Sequence, residues 1–438
     1  MPGATNGHMK KSLGRWDSVA IVIAIVIGVG IFRTPSTVAE LLASPALIIA
    51  AWTAGGVISA LGALCYAELS SSMPRSGGTY VYLRKAYGAL PAFLFGWSEL
   101  LVIRTGSIAA LAFIFGEYLS SFLGAGTGPV KIYAALCVVL LALVNMAGMK
   151  YGKGVQNIFV AAKIASLGAM LVLGFSSGAG DLAHFSGEGV PDRSLPAAFA
   201  LALIPVLWTF GGWHENVYMA GETRKAPETL PFALMTGILS ITVLYVAVNA
   251  LYIYLFPAGE IARSGLIASR VFNIVSGRYG QKILEAVIVV SSAAAVNAML
   301  MTGSRIMYAA GRDNSLFAFM NRMNFRTGVP LRALGVTSAW SLLLIFWGNF
   351  NRLLYFTGFV FWAFFAASAA GVIVLRKKYP QMERPYRVWG YPLTPLVFSA
   401  VSAILAAVTF VSRGTASLTG TVILVSGIPV YLLTGRSK

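Results

Sequence analysis

The sequence is poor in charged residues, cysteine and histidine. Asp, Glu, Lys and Arg make up 11% of its 438 residues, whereas a soluble domain carries about a quarter. The two cysteines, Cys65 and Cys137, exclude a disulfide scaffold and a CxxC metal signature. The three histidines have no zinc-site spacing. Without a P-loop, a nucleotide-binding glycine loop or a Ser–His–Asp pattern, the sequence predicts no enzyme, no cofactor, no metal site and no ATP-driven pump.

Apolar residues are abundant instead, at 57% of the chain with a mean hydropathy of +0.76. A helix that crosses a bilayer needs about 20 mostly apolar residues, and twelve stretches approach this requirement. They are too uniformly apolar for barrel strands, so the sequence predicts an all-α membrane protein with twelve transmembrane helices. Spans 1–12 are predicted at 17–42, 45–71, 89–123, 131–149, 155–175, 197–222, 230–256, 280–310, 332–349, 353–375, 392–411 and 418–434.

The basic residues are distributed unequally between the loops. The net charge is +18, from 33 Lys and Arg against 15 Asp and Glu. Of the 33, 21 lie on the side that holds both termini, eight on the other side and four in or near spans. A nucleic-acid binder would concentrate them on one domain. The positive-inside rule predicts a multi-pass protein of the plasma (inner) membrane with both termini in the cytoplasm, in contact with the lipid bilayer and with no nucleic-acid partner.

Spans 1 and 6 each contain paired glycines, Gly28 and Gly30 in one and Gly211 and Gly212 in the other. Such glycines can allow close helix packing, or they can mark local unwinding, because glycine is a poor helix former. Pro35 fits the first turn of a helix that restarts near Arg33. Interrupted helices at matching positions of two five-helix blocks are typical of inverted-repeat transporters.

This pattern divides the chain into four parts. Residues 1–12 are interpreted as an N-terminal leader, which could be a remnant foreign to the natural chain, since residues 1–8 differ from the rest and Met9 could be the natural start. Residues 13–175 form a first five-helix repeat, 197–378 a second, inverted repeat and 392–434 two further helices.

The unpaired backbone groups of an unwound segment at membrane depth must line a cavity or bind a ligand. Its free N–H groups suit a carboxylate and its free carbonyls an ammonium group, which predicts an α-amino acid as ligand.

Four basic residues lie in or near spans, and two of them have open roles. Lys163 is in the middle of span 5, where an ionisable residue indicates function unless it reaches the interface. Arg104 could face the transport pathway as part of a pocket, or pair with Glu99 or Glu117. His214, after the break in span 6, could titrate near neutral pH or serve packing. Arg33 and Glu40 are predicted in an outer vestibule.

Several motifs in order resemble one family. The chain is similar to the amino acid–polyamine–organocation superfamily, in its branch of L-amino-acid transporters, over roughly residues 13–434. The matching segments are Gly28-Val29-Gly30-Ile31-Phe32, Pro74-Arg75-Ser76-Gly77-Gly78-Thr79-Tyr80, Glu99-Leu100-Leu101-Val102-Ile103-Arg104, Gly152 to Lys163 with Val155-Gln156, Phe210-Gly211-Gly212-Trp213, and Val296-Asn297 through Ser304-Arg305 to Arg312-Asp313.

The resemblance implies a LeuT-type fold of two inverted five-helix repeats with broken helices 1 and 6, plus two helices, and alternating-access exchange without sodium. The implied substrate site comprises Ile27, Gly28, Val29, Gly30 and Ile31 in span 1 and Trp208, Thr209, Phe210 and Gly211 in span 6. The backbone from Gly28 to Ile31 would hold the carboxylate, and carbonyls around Ile27, Gly28, Trp208 and Thr209 the amino group. Trp208 would close over the substrate. The ammonium of Lys163 would replace a sodium ion and link span 5 to span 1 and to Ser291.

The sequence departs from the family pattern at several positions. Val29 stands where many members have Ser or Thr, Trp208 is larger than the usual Phe, and His214 replaces a common Asn. Animal members pair with a glycoprotein through a cysteine after span 3; residues 124–129 contain none. We therefore expect no disulfide-linked glycoprotein subunit and a bacterial source.

The first functional hypothesis is a sodium-independent secondary exchanger of small or medium neutral L-amino acids. The alternative is a proton-coupled symporter of the same fold, in which Lys163, His214 or Glu215 titrates. A third hypothesis is a membrane enzyme or a channel. An enzyme would need a constellation of catalytic residues at one depth, which the sequence lacks, and a channel would show fast flux without saturation.

Overall fold

The computed structural model describes residues 11–434 except 188, 192, 265, 348 and 349, and it does not describe the side chains of residues 350–358, 412–417 and 419. Most of the predicted leader, residues 1–10, therefore lies outside the described residues. Within them the chain is helical, and its only extended pairings are the isolated bridges Leu13–Thr223 and Asn324–Val329.

The described chain forms sixteen α-helices, joined in places by 3₁₀ or π segments. Their bounds are α1 Arg15–Val26, α2 Gly30–Leu42, α3 Pro45–Ser72, α4 Thr79–Tyr87, α5 Ala89–Ser98, α6 Arg104–Leu123, α7 Val130–Ala147, α8 Met149–Ser176, α9 Leu195–Thr209, α10 Ala226–Leu255, α11 Ala258–Arg263, α12 Ile267–Ser276, α13 Gly280–Asp313, α14 Leu331–Trp347, α15 Phe350–Lys378 and α16 Leu393–Thr434. A π-helix at Glu99–Ile103 joins α5 to α6, and a 3₁₀ helix at Trp213–Glu222 follows α9.

Nine helices or helix pairs in the described residues are long and apolar enough to cross a membrane, and the bent pair α1–α2 makes up to ten. Two shorter apolar helices, Leu331–Trp347 and Gly420–Thr434, stand where spans 9 and 12 are predicted. The helix assignment α16 is continuous over predicted spans 11 and 12, with Leu393–Val411 as its first apolar part. The prediction of a polytopic α-helical membrane protein is confirmed.

Span 1 is broken, as its glycines predict. Helices α1 and α2 are bent by 49° at residues 27–29. The restart near Arg33 is wrong, because α2 begins at Gly30 and Pro35 lies inside it. A proline removes the N–H that would bond the carbonyl four residues earlier, here that of Ile31. The hydroxyl of Tyr252 donates to this carbonyl at 3.4 Å, so α10 supplies the missing donor.

Span 6 is also interrupted. Helix α9 ends at Thr209, and the chain continues after Gly212 as the 3₁₀ helix Trp213–Glu222. The second half therefore differs in type from a restarted α-helix. Nearly all of its residues are buried, and the tighter 3₁₀ winding marks it as a distinct segment.

The two broken spans lie side by side in the bundle. Helix α1 packs against α8, α10, α13 and the 3₁₀ helix, while α2 packs against α9 and α11. The long helix α13 also contacts α6, α7 and α8. Spans 5 and 8 thus flank the break in span 1.

Candidate substrate site

The two breaks touch each other through glycines. A Cβ on Gly30 would lie 2.7 Å from Cγ2 of Thr209, and one on Gly212 would lie 2.3 Å from Cγ2 of Ile25. Gly212 also has φ +101°, a conformation that favours glycine. Thr209 Oγ1 donates to Thr34 Oγ1 at 2.9 Å. The halves are thereby paired: α2 is joined to α9, and α1 to the 3₁₀ helix.

Lys163 is completely enclosed, at 1% exposure. Its Nζ donates to the carbonyl of Ala24 at 2.8 Å and also to that of Ile27. Ser291 Oγ of α13 donates to the same Ile27 oxygen at 3.0 Å. Because a buried ammonium needs several acceptors, these contacts place the charge at the last turn of α1, where the helix dipole favours a cation.

The carbonyl of Ile27 is therefore already occupied. An amide oxygen has two lone pairs, and Lys163 and Ser291 use both. This differs from the sequence prediction that Ile27 would hold a substrate amino group. The hydroxyl of Tyr245 contacts two further carbonyls, one in each broken span. Tyr245 Oη donates to Val26 O at 2.7 Å and lies 3.5 Å from Thr209 O.

Part of the predicted site lies at the surface of the bundle. Gly28, Val29 and Gly211 are partly exposed, and Trp208 is 45% exposed. Their neighbours in the same segments are buried, namely Ile27, Gly30, Ile31, Thr209 and Phe210. The first N–H groups of α2 have no partner within the helix, so the exposed backbone at Val29 lies beside free donors.

A polar face runs along α2 from Val29. Its exposed residues Arg33, Thr37 and Glu40 share one face of the helix with Val29. The face carries a basic and an acidic side chain of α2, which favours water over lipid around it. Arg33 and Glu40 are exposed on α2, and their position in an outer vestibule stays a prediction.

The opposite end of the site is closed. We call it the terminus side, because Ser12 and Leu13 lie there. Their N–H groups donate to the carbonyl of Glu222 at 2.9 and 3.0 Å. The carboxylate of Glu222 accepts two bonds from Arg305 of α13, at 2.7 and 2.9 Å. These contacts seal the terminus side in the described conformation.

Arg104 is 4% exposed and belongs to an internal ion cluster. Its Nε donates to Glu99 Oε2 at 3.0 Å and its Nη1 to Glu215 Oε2 at 2.7 Å. Of the two partners weighed from the sequence, Glu99 is the one present. The π-turn at Glu99–Ile103 brings residues five apart onto one face, which sequence patterns did not reveal. The side chain is enclosed in the bundle and offers no open pocket surface.

His214 is enclosed by aromatic rings. The rings of Tyr66, Tyr218 and Phe365 lie edge-on to it, with centroids 5.8, 5.6 and 4.7 Å away. Its Nε2 is 3.7 Å from Glu215 Oε1, too far for a hydrogen bond. This environment fits the packing role that the sequence left open. Across the described residues, no group of three His, Cys, Asp or Glu side chains could hold a metal ion.

A family model described as amino acid permease matches residues 13–434. The chain belongs to the amino acid permease family. Two similar proteins align with nearly the whole length of this permease. The human b(0,+)-type amino acid transporter 1 is 31% identical over 97% of this chain and 88% of its own. The mouse large neutral amino acids transporter small subunit 2 is 30% identical over 97% and 81%.

These relatives confirm the resemblance that the motifs carry, and they confirm the prediction of a transporter rather than an enzyme. Two contributors to the site were missed from the sequence. Tyr245 and Tyr252 of α10 bond to carbonyls of the broken span, and a tyrosine in an apolar span gives no signal of its own.

Proposed function

We propose that this permease is a sodium-independent, alternating-access exchanger of small or medium neutral L-amino acids. The observation that carries the proposal is the position of Lys163. Its ammonium sits among the carbonyls of Ala24 and Ile27 beside Ser291, a set of oxygens that would otherwise suit a monovalent cation. A transporter that fills this place with its own charge needs no sodium ion there.

The architecture we propose has twelve spans, as two inverted five-helix repeats over 13–175 and 197–378 and two helices over 392–434. Matching breaks in spans 1 and 6, the first members of the two blocks, support it. The shorter helices at spans 9 and 12 complete the count.

The substrate would bind at the opening between the breaks. Its carboxylate would accept bonds from the backbone N–H groups of Val29, Gly30 and Ile31 at the start of α2. Its ammonium would meet carbonyls near Gly28 and Trp208, because that of Ile27 is committed to Lys163 and Ser291. The half-exposed Trp208 would then close over the bound molecule.

Transport would follow from the pairing of the half-helices. α1 and the 3₁₀ helix pack as one unit through Gly212, and α2 and α9 as another through Gly30. Opening toward the termini requires that Glu222 leave Arg305 and the first unit swing away from α13. A substrate drives this only by binding the two states with different affinity.

We place both termini in the cytoplasm of the plasma (inner) membrane, so that the vestibule opens outside. The excess of Lys and Arg in the terminus-side loops supports this orientation. We also propose that no glycoprotein subunit is disulfide-linked to the chain. Both cysteines, Cys65 and Cys137, are buried.

The test uses purified protein in liposomes. Vesicles preloaded with unlabelled L-alanine or L-leucine should take up the labelled amino acid equally in sodium and choline buffers. Empty vesicles, even with an inward proton gradient, should take up almost none. Uptake into empty vesicles driven by the proton gradient would favour the symporter, and a requirement for sodium would contradict the role of Lys163. Competition by all twenty amino acids then defines the substrate range.

A further inference from the structure

Two glutamates share one arginine inside the bundle. Arg104 of α6 bonds Glu99 at 3.0 Å and Glu215 at 2.7 Å, and all three side chains are at most 4% exposed. If both carboxylates were ionised, the cluster would carry one uncompensated negative charge. A buried charge without a partner is strongly unfavourable, so one further positive charge or one proton is required.

The surrounding elements supply no second cation among the described residues. The polar groups that face the cluster are neutral: Tyr66 of α3, Thr79 of α4, Tyr218 of the 3₁₀ helix and Thr302 of α13. Helix α15 contributes phenylalanine rings. The next charged pair, Arg305 with Glu222, is balanced within itself.

His214 does not provide the missing charge. A protonated imidazole donates from both nitrogens. Here Nδ1 is buried without a hydrogen-bond partner, and Nε2 is 3.7 Å from Glu215. Its other neighbours are aromatic rings. A neutral ring fits this environment, and the proton must therefore reside on a carboxylate.

The contacts distinguish the two carboxylates. Glu215 Oε2 accepts from Arg104 and, at 2.7 Å, from the hydroxyl of Thr302, and two donors stabilise an anion. Glu99 accepts from the Nε of Arg104. It also borders a small cavity of about 10 Å³, together with Thr79 and His214. That space suits about one water molecule, which could accept the bond of a carboxylic acid.

We propose that Glu99 is a proton-binding site, occupied while the terminus side is closed. Glu99 and Arg104 lie on one helix, whereas Glu215 lies on the 3₁₀ helix. When that helix moves away, Arg104 keeps Glu99 as its partner. The acid then ionises, its O–H bond breaks, and the proton passes to water entering from the terminus side. This release step rests on the proposed alternating access; the occupancy of Glu99 does not.

Infrared difference spectroscopy at pH 7 tests the occupancy without any substrate. The spectrum of each purified variant is subtracted from that of the purified wild type. The carbonyl stretch of a protonated carboxylic acid should be present in the wild type and absent in Glu99→Gln. It should persist in Glu260→Gln, which alters an exposed, ion-paired glutamate. Wild type without this band, or Glu99→Gln with the band unchanged, would overturn the proposal.

A second variant tests the charge argument even if Glu99→Gln fails to fold. Glu215→Gln leaves Arg104 with Glu99 as its sole carboxylate partner, so Glu99 should ionise and the band should disappear although Glu99 is still present. A band that persists in Glu215→Gln would refute the linkage between Glu215 and the proton.

The functional consequence is a pH dependence of terminus-side opening. Because the closed state holds the proton, acid favours closure, and the closing constant can change by up to about tenfold per pH unit for one proton. Uptake of labelled L-alanine into vesicles preloaded with unlabelled L-alanine should accelerate as the terminus-side pH rises. Glu99→Gln should remove this pH dependence. Equal pH profiles for both proteins would contradict the linkage, whereas inactive wild type with an intact infrared band would contradict the proposed function alone.

Discussion

Lys163 and Ser291 donate to the same atom, the carbonyl oxygen of Ile27, from two helices that both pack against α1. One acceptor thus links α8 and α13 to the first residue of the break. The tie holds the terminus-side half of span 1 in place, and it must loosen whenever that half moves.

We expect Lys163→Ala to reduce exchange at least about tenfold while the protein still folds. The variant removes two charge-assisted bonds, each worth about 1.5–3 kcal/mol, and a loss of 1.4 kcal/mol in the transition state already corresponds to tenfold. The initial rate of labelled L-leucine uptake into preloaded vesicles measures the effect.

Ser291→Ala is the matched control, because it removes one neutral bond to the same oxygen. Its rate should fall less, since a neutral hydrogen bond contributes about 1 kcal/mol. A normal exchange rate in Lys163→Ala, with a monodisperse gel-filtration profile, would show that the lysine is not part of the transport cycle.

The exposed ring of Trp208 predicts a change in substrate range. Trp208 stands beside Gly211 at the opening, so Trp208→Ala should admit bulkier amino acids than the wild type. Competition against labelled L-alanine by L-phenylalanine and L-tryptophan should strengthen in the variant. The same competition profile in both proteins would exclude Trp208 from the lid.

The contact between Gly30 and Thr209 predicts non-additive substitutions. A Cβ at Gly30 would lie 2.7 Å from Thr209 Cγ2, which is too close. Its distance to Thr209 Cβ, the atom that remains in Thr209→Ala, would be 3.1 Å. Gly30→Ala should therefore impair exchange strongly, and adding Thr209→Ala should restore part of it. A double-mutant cycle on uptake rates measures the coupling; independent, additive effects would mean that the contact between Gly30 and Thr209 does not affect transport.

Much of the fold and the site could be predicted from local sequence. Apolar length predicted the nine to ten membrane-length helices of the described residues, and paired glycines predicted the two breaks, because both signals lie within one segment of the chain. The prediction for Pro35 was wrong since a tyrosine from α10 repairs the lost hydrogen bond, so the helix need not start there.

The ion cluster could be predicted only in part. Arg104 and Glu99 are five apart, a spacing that a regular α-helix does not place on one face, and the π-turn that does so leaves no recognisable sequence pattern. Glu215 and Thr302 reach Arg104 from distant segments. Such contacts depend on packing between helices, which periodicity and motifs do not encode.

The pair Arg305–Glu222 should stabilise the closed terminus side. Both side chains are at most 2% exposed, and the two bonds measure 2.7 and 2.9 Å. Removing one partner of a buried pair costs about 3–5 kcal/mol, so Arg305→Ala should markedly lower the thermal unfolding midpoint in detergent. Arg270→Ala breaks a pair of similar length whose members are 43% and 52% exposed, and it should cost at most about 1 kcal/mol. Since Glu222 also anchors Ser12 and Leu13, the loss in Arg305→Ala should be accompanied by faster proteolysis near residue 12. Similar midpoints and cleavage rates for the two variants would mean that the buried pair does not hold the N-terminal segment closed.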